Sequence, residues 1–270
     1  MTDVLGVCTS WRDGVCTVQP EAGAAVAIPL ADIVTGKPVP PRASVRQRVP
    51  ARDAERHSLP MWPQVERAAL GEWELRTDPA PVGRLLKRAN SCLAFGDPGL
   101  PVEEAAAAVR SFYAARGRDA LVQVERDSIV DAAFADLGWQ VVPGGEAHFM
   151  LTSLAHASRL AGDDLDVDME EDGPRLRVVR RVDGAEVGSG RAALDGDWLG
   201  VHDLEVVPAH RGQLHATAMM AALLEWGAEQ GASTVWLHVE TDNDAALALY
   251  AGLGFRIHHT DRYRVAPAAS

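Results

Sequence analysis

Tyr250 follows Asn243 by two turns of helix, if the run between them is helical. A phenol there can give a proton to a leaving group. Upstream, Val206-Val207-Pro208-Ala209-His210-Arg211-Gly212-Gln213-Leu214-His215-Ala216 reads as a strand end, a loop and the start of a helix. The first amides of a helix have no partner within it, and they lie at the positive end of its dipole. The turn formed by Arg211, Gly212, Gln213, Leu214, His215 and Ala216 is therefore suited to an anion such as a phosphate. The strand before it carries His202, Asp203 and Glu205, and the next strand carries His238 and Glu240. A carboxylate can take a proton from an incoming nucleophile. Glu205 is the candidate base. His238 alternates with Leu237 and Val239 and reads as a satisfied core or edge histidine.

These residues need a scaffold of strands and helices in a fixed order. Strands are expected over Leu176–Arg181, Ala185–Ala193 and Leu199–Val207, the first two joined by a hairpin at Val182-Asp183-Gly184. Pro208 ends the third. A helix runs from about Leu214 to Gln230, with Gly231 closing it. Then come a strand over Val235–Val239, a helix over Asn243–Leu253 and a last strand to about Val265.

This order, with its motifs, resembles the GNAT superfamily of N-acetyltransferases across about Pro174 to Val265. The family pattern at the strand-to-helix turn is Val-x-Pro-x-x-Arg/Gln-x-x-Gly-x-Gly/Ala. Here Val206, Pro208, Arg211 and Ala216 fit it, and Leu214 stands where the first glycine belongs. The downstream pattern Asn-x-x-Ala-x-x-Leu-Tyr-x-x-x-Gly-Phe is met at every fixed position from Asn243 to Phe255. The resemblance implies acetyl-CoA as co-substrate and transfer of acetyl to a primary amine, either a small amine or a protein lysine. The pyrophosphate would lie on the turn Arg211–Ala216. The pantetheine arm would lie between splayed strands at Leu204 to Val206 and Leu237 to Val239, and the Val206 amide would polarise the thioester carbonyl. Asn243 would belong to the cofactor site, and Tyr250 would protonate the leaving thiolate. Leu214 puts a side chain where the family brings bare backbone to the phosphates, and so should narrow the cradle. His215, in a usually aliphatic slot, either adds a compensating contact or stands exposed on the helix. A disabled cradle leaves a second reading open: an acetyl-CoA-sensing or non-catalytic GNAT-like binding or regulatory protein.

The first part of the chain echoes the second. Val122-Gln123-Val124-Glu125 matches Leu237-His238-Val239-Glu240, and Ala133 to Trp139 matches Leu249 to Phe255. Phe112 and Trp226 each precede a helix-ending glycine by five residues. Phe134 stands where Tyr250 stands, and a phenyl ring has no proton to give. Residues 70–155 therefore read as a degenerate GNAT-like half forming a wall of the acceptor site. Arg88-Ala89-Asn90-Ser91 could face that site or serve as a helix cap. Residues 165–266 read as the acetyl-CoA-binding domain. Residues 1–50 hold short β-prone runs at Val4–Thr9, Val15–Pro20 and Ala24–Pro29, and a Pro-rich exit at Lys37–Arg42. They resemble a small SH3-like barrel. Residues 43–75 read as irregular and 158–173 as an acidic linker. The expected class is thus α/β (α+β), a GNAT fold with a mixed central sheet. A small barrel followed by two GNAT-like halves resembles an actinobacterial family of acetyltransferases.

From Ala161 to Ser270 there are 19 acidic and 9 basic residues, in a chain of net charge −12. That surface repels nucleic acid and attracts a cationic amine. The three cysteines, Cys8, Cys16 and Cys92, form no CxxC pair, and no His/Cys cluster at ligand spacing implies a metal. No cysteine lies near the motifs, so transfer is expected to be direct, without a covalent intermediate. Neither a secretory leader nor a membrane span is read, and the expected location is cytoplasmic.

Overall fold

A computed structural model describes residues 3–20, 23–37, 44–81, 83, 85–162 and 166–267. The chain divides into two compact units, Met1–Ala43 and Ser44–Ser270. The first holds β1 (Val7–Arg12), β2 (Val15–Gln19) and β3 (Val26–Pro29) as an antiparallel sheet in that order. Asp13 and Gly14, both at positive φ, form the two-residue turn between β1 and β2. Where a small barrel is expected, the described residues form this three-stranded sheet, and no closed barrel is seen among them. Pro38–Arg42, in the expected Pro-rich exit, lies outside the described residues.

Among the described residues, the second unit is built on one mixed sheet of eleven strands. In chain order its elements are α1 (Ala51–Arg56), β4 (Glu66–Leu70), β5 (Trp73–Thr77), β6 (Cys92–Leu93), α2 (Val102–Ala114), β7 (Leu121–Glu125), α3 (Ile129–Asp136), β8 (Gln140–Ser153) and α4 (Leu154–Ala161). They continue as β9 (Asp168–Asp172), β10 (Arg175–Val182), β11 (Ala185–Asp195), β12 (Trp198–Val206), α5 (His215–Glu229), β13 (Thr234–Glu240), α6 (Asp244–Gly252) and β14 (Arg256–Val265). Three expectations are corrected. Residues 43–75 contain α1 and the β4–β5 hairpin, and are not irregular. The expected linker holds the end of α4 and β9, an edge strand whose acidic side chains pair with arginines of β10, as in Arg177 with Glu170 at 3.1 Å. β8 starts at Gln140, well before the expected Phe149, because its Gly144-Gly145 and Pro143 hide the strand pattern.

The strand order is β4-β5-β6-β7-β14-β8-β13-β12-β11-β10-β9. Apart from β9 it is palindromic. The run β4-β5-β6-α2-β7-α3-β8 is repeated by β10-β11-β12-α5-β13-α6-β14. The parallel pair β6·β7 corresponds to the parallel pair β12·β13. Each half gives its last strand to the other: β14 pairs with β7, and β8 pairs with β13.

Strand alternation sends residues to two faces. Val235, Leu237 and Val239 pack into a core with α4, α5 and α6. Trp236 points the other way, into a core with Ala54 of α1, Met61, Phe149 and Trp198. A third core, around Trp73, Tyr113, Phe134 and Trp139, fills the first half. Phe134, the counterpart of Tyr250, is fully buried there.

Candidate functional site

The site lies where β12 and β13 part. Their parallel register ends at Val201↔Leu237, so His202 and His238 are the first residues beyond the last pair. The cause is a bulge. Between Ser189↔Glu205 and Arg191↔His202, two steps on β11 oppose three on β12, and Asp203 takes φ +51°. Aspartate tolerates that left-handed conformation better than most residues, and a bulge bends its strand. In a regular strand Asp203 and Glu205 would share a face. Here Asp203 lines a small pocket and Glu205 lines a separate large cleft.

The large cleft has a volume of about 950 Å³. It gathers Leu204, Glu205, Val206, Arg211, Gly212, Leu214, His215, Ala216, Asn243 and Tyr250. Gln213 is the one assigned residue outside its lining. At its floor is the N-terminus of α5, which no side chain caps. Ala218 N bonds back to Leu214 O at 3.0 Å, leaving the amides of His215, Ala216 and Thr217 as the free donors of the first turn. Arg211 Nε donates to Val206 O at 3.2 Å, which ties the loop to the strand end. Leu214 is the N-cap residue itself, in the left-handed region at φ +61° and 74% exposed. The position therefore favours glycine for its backbone angle as well as for its lack of a Cβ. His215 is buried, not exposed, and its Nε2 has no hydrogen-bond partner.

Across the cleft, Asn243 caps α6 by accepting from Ala246 N at 3.2 Å. Tyr250 is 7% exposed, and burial pushes its hydroxyl up to about 12. The phenol thus keeps its proton at neutral pH, as an acid must.

The small pocket, about 140 Å³, lies on the α1 face of the sheet. Its wall includes Trp62, Arg88, Glu146, Asp203, His238 and Glu240. Of the Arg88–Ser91 run, Arg88 lines this pocket; Ala89, Asn90 and Ser91 are buried. Arg84 lies outside the described residues. The His202 ring, 3.2 Å from Asp203, holds that carboxyl below its usual range.

Behind His238 lies a sealed polar cluster that the sequence did not reveal. His238 Nε2 is 2.7 Å from Glu55 Oε1 and 3.1 Å from Asp261 Oδ2. His259 Nε2 is 3.1 Å from the same Glu55 oxygen and 3.2 Å from Asp261 Oδ1. Gln123 Nε2 donates to both carboxylates, at 3.1 Å and 2.7 Å, and its Oε1 accepts from Arg76 at 2.7 Å. Glu55, Gln123 and Asp261 are fully buried. Burial alone would raise Glu55, but His238 and His259 hold it well below the carboxylate range. Burial alone would lower His259, but Asp261 and Glu55 bring it up to about 10. No metal was expected from residue spacing, yet Glu55, His259 and Asp261 bring ligand-type atoms within 4.8 Å of one another. Those atoms already contact each other, His238 and Gln123 in a buried polar ring, in which Asp261 Oδ1 meets His259 as an ion pair at 3.2 Å and makes no hydrogen bond. The five residues Glu55, Gln123, His238, His259 and Asp261 come from four elements, α1, β7, β13 and β14, too far apart for any spacing to show. The one signal was the repeat that aligns Gln123 with His238.

Residues 149–255 match the Acetyltransferase (GNAT) family model, the stretch that carries this fork and the cofactor-side strands and helices of the cleft. The chain is similar to the mycothiol acetyltransferase of Clavibacter sepedonicus, 37% identical over 101 residues, which are 36% of this chain and 33% of that protein. An uncharacterized N-acetyltransferase of Bacillus subtilis is 32% identical over 74 residues, 27% of this chain and 30% of its own. The chain thus spans about a third of the length of these curated relatives. Among solved structures, a GCN5-related N-acetyltransferase from Kribbella flavida superposes with a TM-score of 0.60 at 17% identity, over 81% of this chain and 96% of that one. That likeness extends the fold across both halves of the sheet.

Proposed function

We propose that the protein transfers acetyl from acetyl-CoA to a primary amine by direct attack. The observation that carries this is the uncapped N-terminus of α5, opening into a 950 Å³ cleft faced by a protonated Tyr250. The free amides of His215, Ala216 and Thr217 suit a pyrophosphate. Leu204 and Val206 on the splayed strand suit the pantetheine arm, with the Val206 amide polarising the thioester carbonyl. The nitrogen attacks the carbonyl carbon, the C–S bond breaks, and Tyr250 protonates the thiolate. Because Glu205 lies on the cofactor side of the bulge, the amine is better placed in the small pocket across the fork, at Asp203, His238 and Glu240. A pocket of that size takes an alkylamine tail, whether free or at the end of a protein lysine. The first half supports the site as a degenerate GNAT-like wall. The first unit fits as part of an SH3-like module, and the setting is cytoplasmic.

Calorimetry with acetyl-CoA tests the first step. Binding at micromolar to sub-millimolar concentration supports the reading, and no heat at millimolar cofactor abandons it. Leu214 favours the second reading, a GNAT-like binding protein without turnover. Binding without thiol release over a panel of amines would select it.

A further inference from the structure

We propose that His238, backed by the buried carboxylates of Glu55 and Asp261, is the general base for the acceptor amine. This rests on the acetyltransfer reading and names the group that reading leaves open.

Position comes first. His238 is the residue at which β13 leaves β12, so it lies at the fork where a thioester carbonyl must meet its nucleophile. Its ring lines the small pocket on the α1 face, whereas Tyr250 lines the cleft on the other side. Acid and base therefore approach the reacting carbon from opposite sides. In a direct transfer the incoming nitrogen and the departing sulfur each need their own proton partner, and the two pockets supply one each.

Orientation comes second. Nε2 is engaged by Glu55 at 2.7 Å and Asp261 at 3.1 Å, so this nitrogen carries the hydrogen and Nδ1 keeps the lone pair. The ring cannot turn easily. Phe149 meets it edge-on at 5.1 Å and Trp236 at 5.5 Å. A carboxylate that fixes an imidazole tautomer and faces the cation formed on it is the arrangement by which histidine bases work in hydrolases.

Charge comes third. Two carboxylates, Glu55 and Asp261, face two imidazoles, His238 and His259, at 2.7–3.2 Å. A proton taken by His238 Nδ1 therefore has a carboxylate partner in the interior. The bound ammonium gives one proton to His238 Nδ1, and the neutral nitrogen then forms its bond to the acetyl carbon. As the C–S bond breaks the thiolate takes the proton of Tyr250, and the second proton lost by the new amide nitrogen returns to the Tyr250 oxygen. Glu55 and Asp261 keep their charge throughout and act as positioning residues.

Two probe amines test this with acetyl-CoA by thiol release: propylamine, strongly basic, and methoxyamine, which is neutral at pH 7 without help. His238→Gln keeps an N–H for the carboxylates. It should lose about a hundredfold or more in kcat/KM with propylamine and less than tenfold with methoxyamine, with acetyl-CoA affinity within threefold. In His238→Ala, added imidazole should restore part of the propylamine rate. Equal losses with both amines and no imidazole rescue would overturn the proposal. So would a larger propylamine loss in Glu205→Gln than in His238→Gln. Failure of the unaltered protein to transfer to either amine sinks the acetyltransfer reading itself, and the base with it. If the alanine variant does not fold, as judged by its melting curve with cofactor, the glutamine variant decides alone.

Discussion

The Nδ1 atoms of His258 and His259 lie 2.7 Å apart, so one of them holds the shared proton. Burial and the neighbouring His259 charge lower His258, while Asp261 and Glu55 raise His259 to about 10. The proton therefore belongs to His259, and His258 accepts it at Nδ1 and donates from Nε2 to Val49 O at 2.8 Å. Stability follows. A histidine raised from 6.5 to about 10 stabilises the fold fully below pH 6.5 and progressively less as pH rises towards 10. His258 has the opposite sign, and its contribution erodes as pH falls below 6.5. Glu55, lowered from 4.5, loses its contribution as pH falls below 4.5. The melting temperature should peak near neutral pH and fall on both sides. In His259→Gln the alkaline fall should flatten. An alkaline limb unchanged in that variant would place the titrating group elsewhere.

Leu214 holds a left-handed backbone angle that costs an L-residue roughly 1–2 kcal/mol. Leu214→Gly removes that strain and the Cβ from the cleft floor, against an added unfolded-state entropy of about 0.4–1 kcal/mol. The net change in stability should be small and favourable. Acetyl-CoA affinity, read by calorimetry, should rise severalfold because the amides of α5 become more accessible. Weaker binding would mean that the leucine side chain itself contacts the cofactor.

Tyr250→Phe removes only the hydroxyl from a side chain packed against Phe255 at 5.8 Å between ring centroids. Acetyl-CoA affinity should stay within threefold, and kcat should fall by about two to three powers of ten, the usual scale for an acid. Turnover unchanged in this variant would assign the thiolate's proton to solvent.

Motif and fold were legible where the chemistry is local. The loop Arg211–Ala216 and the helix of Asn243 and Tyr250 lie on short contiguous stretches, and the cleft unites them. Alternation in Val235–Val239 and the turn at Asp183-Gly184 needed only nearest neighbours. The buried ring did not read out, because Glu55 stands on a six-residue helix in a stretch without periodicity, and Asp261 and His259 are ordinary strand residues until β14 is placed beside β7 and β8. The bulge at Asp203 was equally hidden. It exists because β11 and β12 mismatch by one residue, which a single strand cannot announce. The repeat was visible as matched helix ends and strands, but the exchange of last strands between halves is a long-range choice.

That exchange predicts how the second unit comes apart. β8 lies between β14 and β13, with His238 opposite Phe149 and Asp261 opposite Ala147. Residues 162–270 alone would lack this strand and would expose the facing edges of β13 and β14, along with the apolar side chains that Met150 and Leu151 cover. Residues 44–161 alone would lack β14 and leave Glu55 and Gln123 without Asp261 and His259. An unpaired buried carboxylate is strongly destabilising. Each fragment expressed alone should therefore be insoluble or form a swapped dimer, while co-expression should give a soluble one-to-one complex on size-exclusion chromatography. A monomeric, cooperatively melting C-terminal fragment would show that β13 and β14 can pair without β8 and that the exchanged strands are not required for folding.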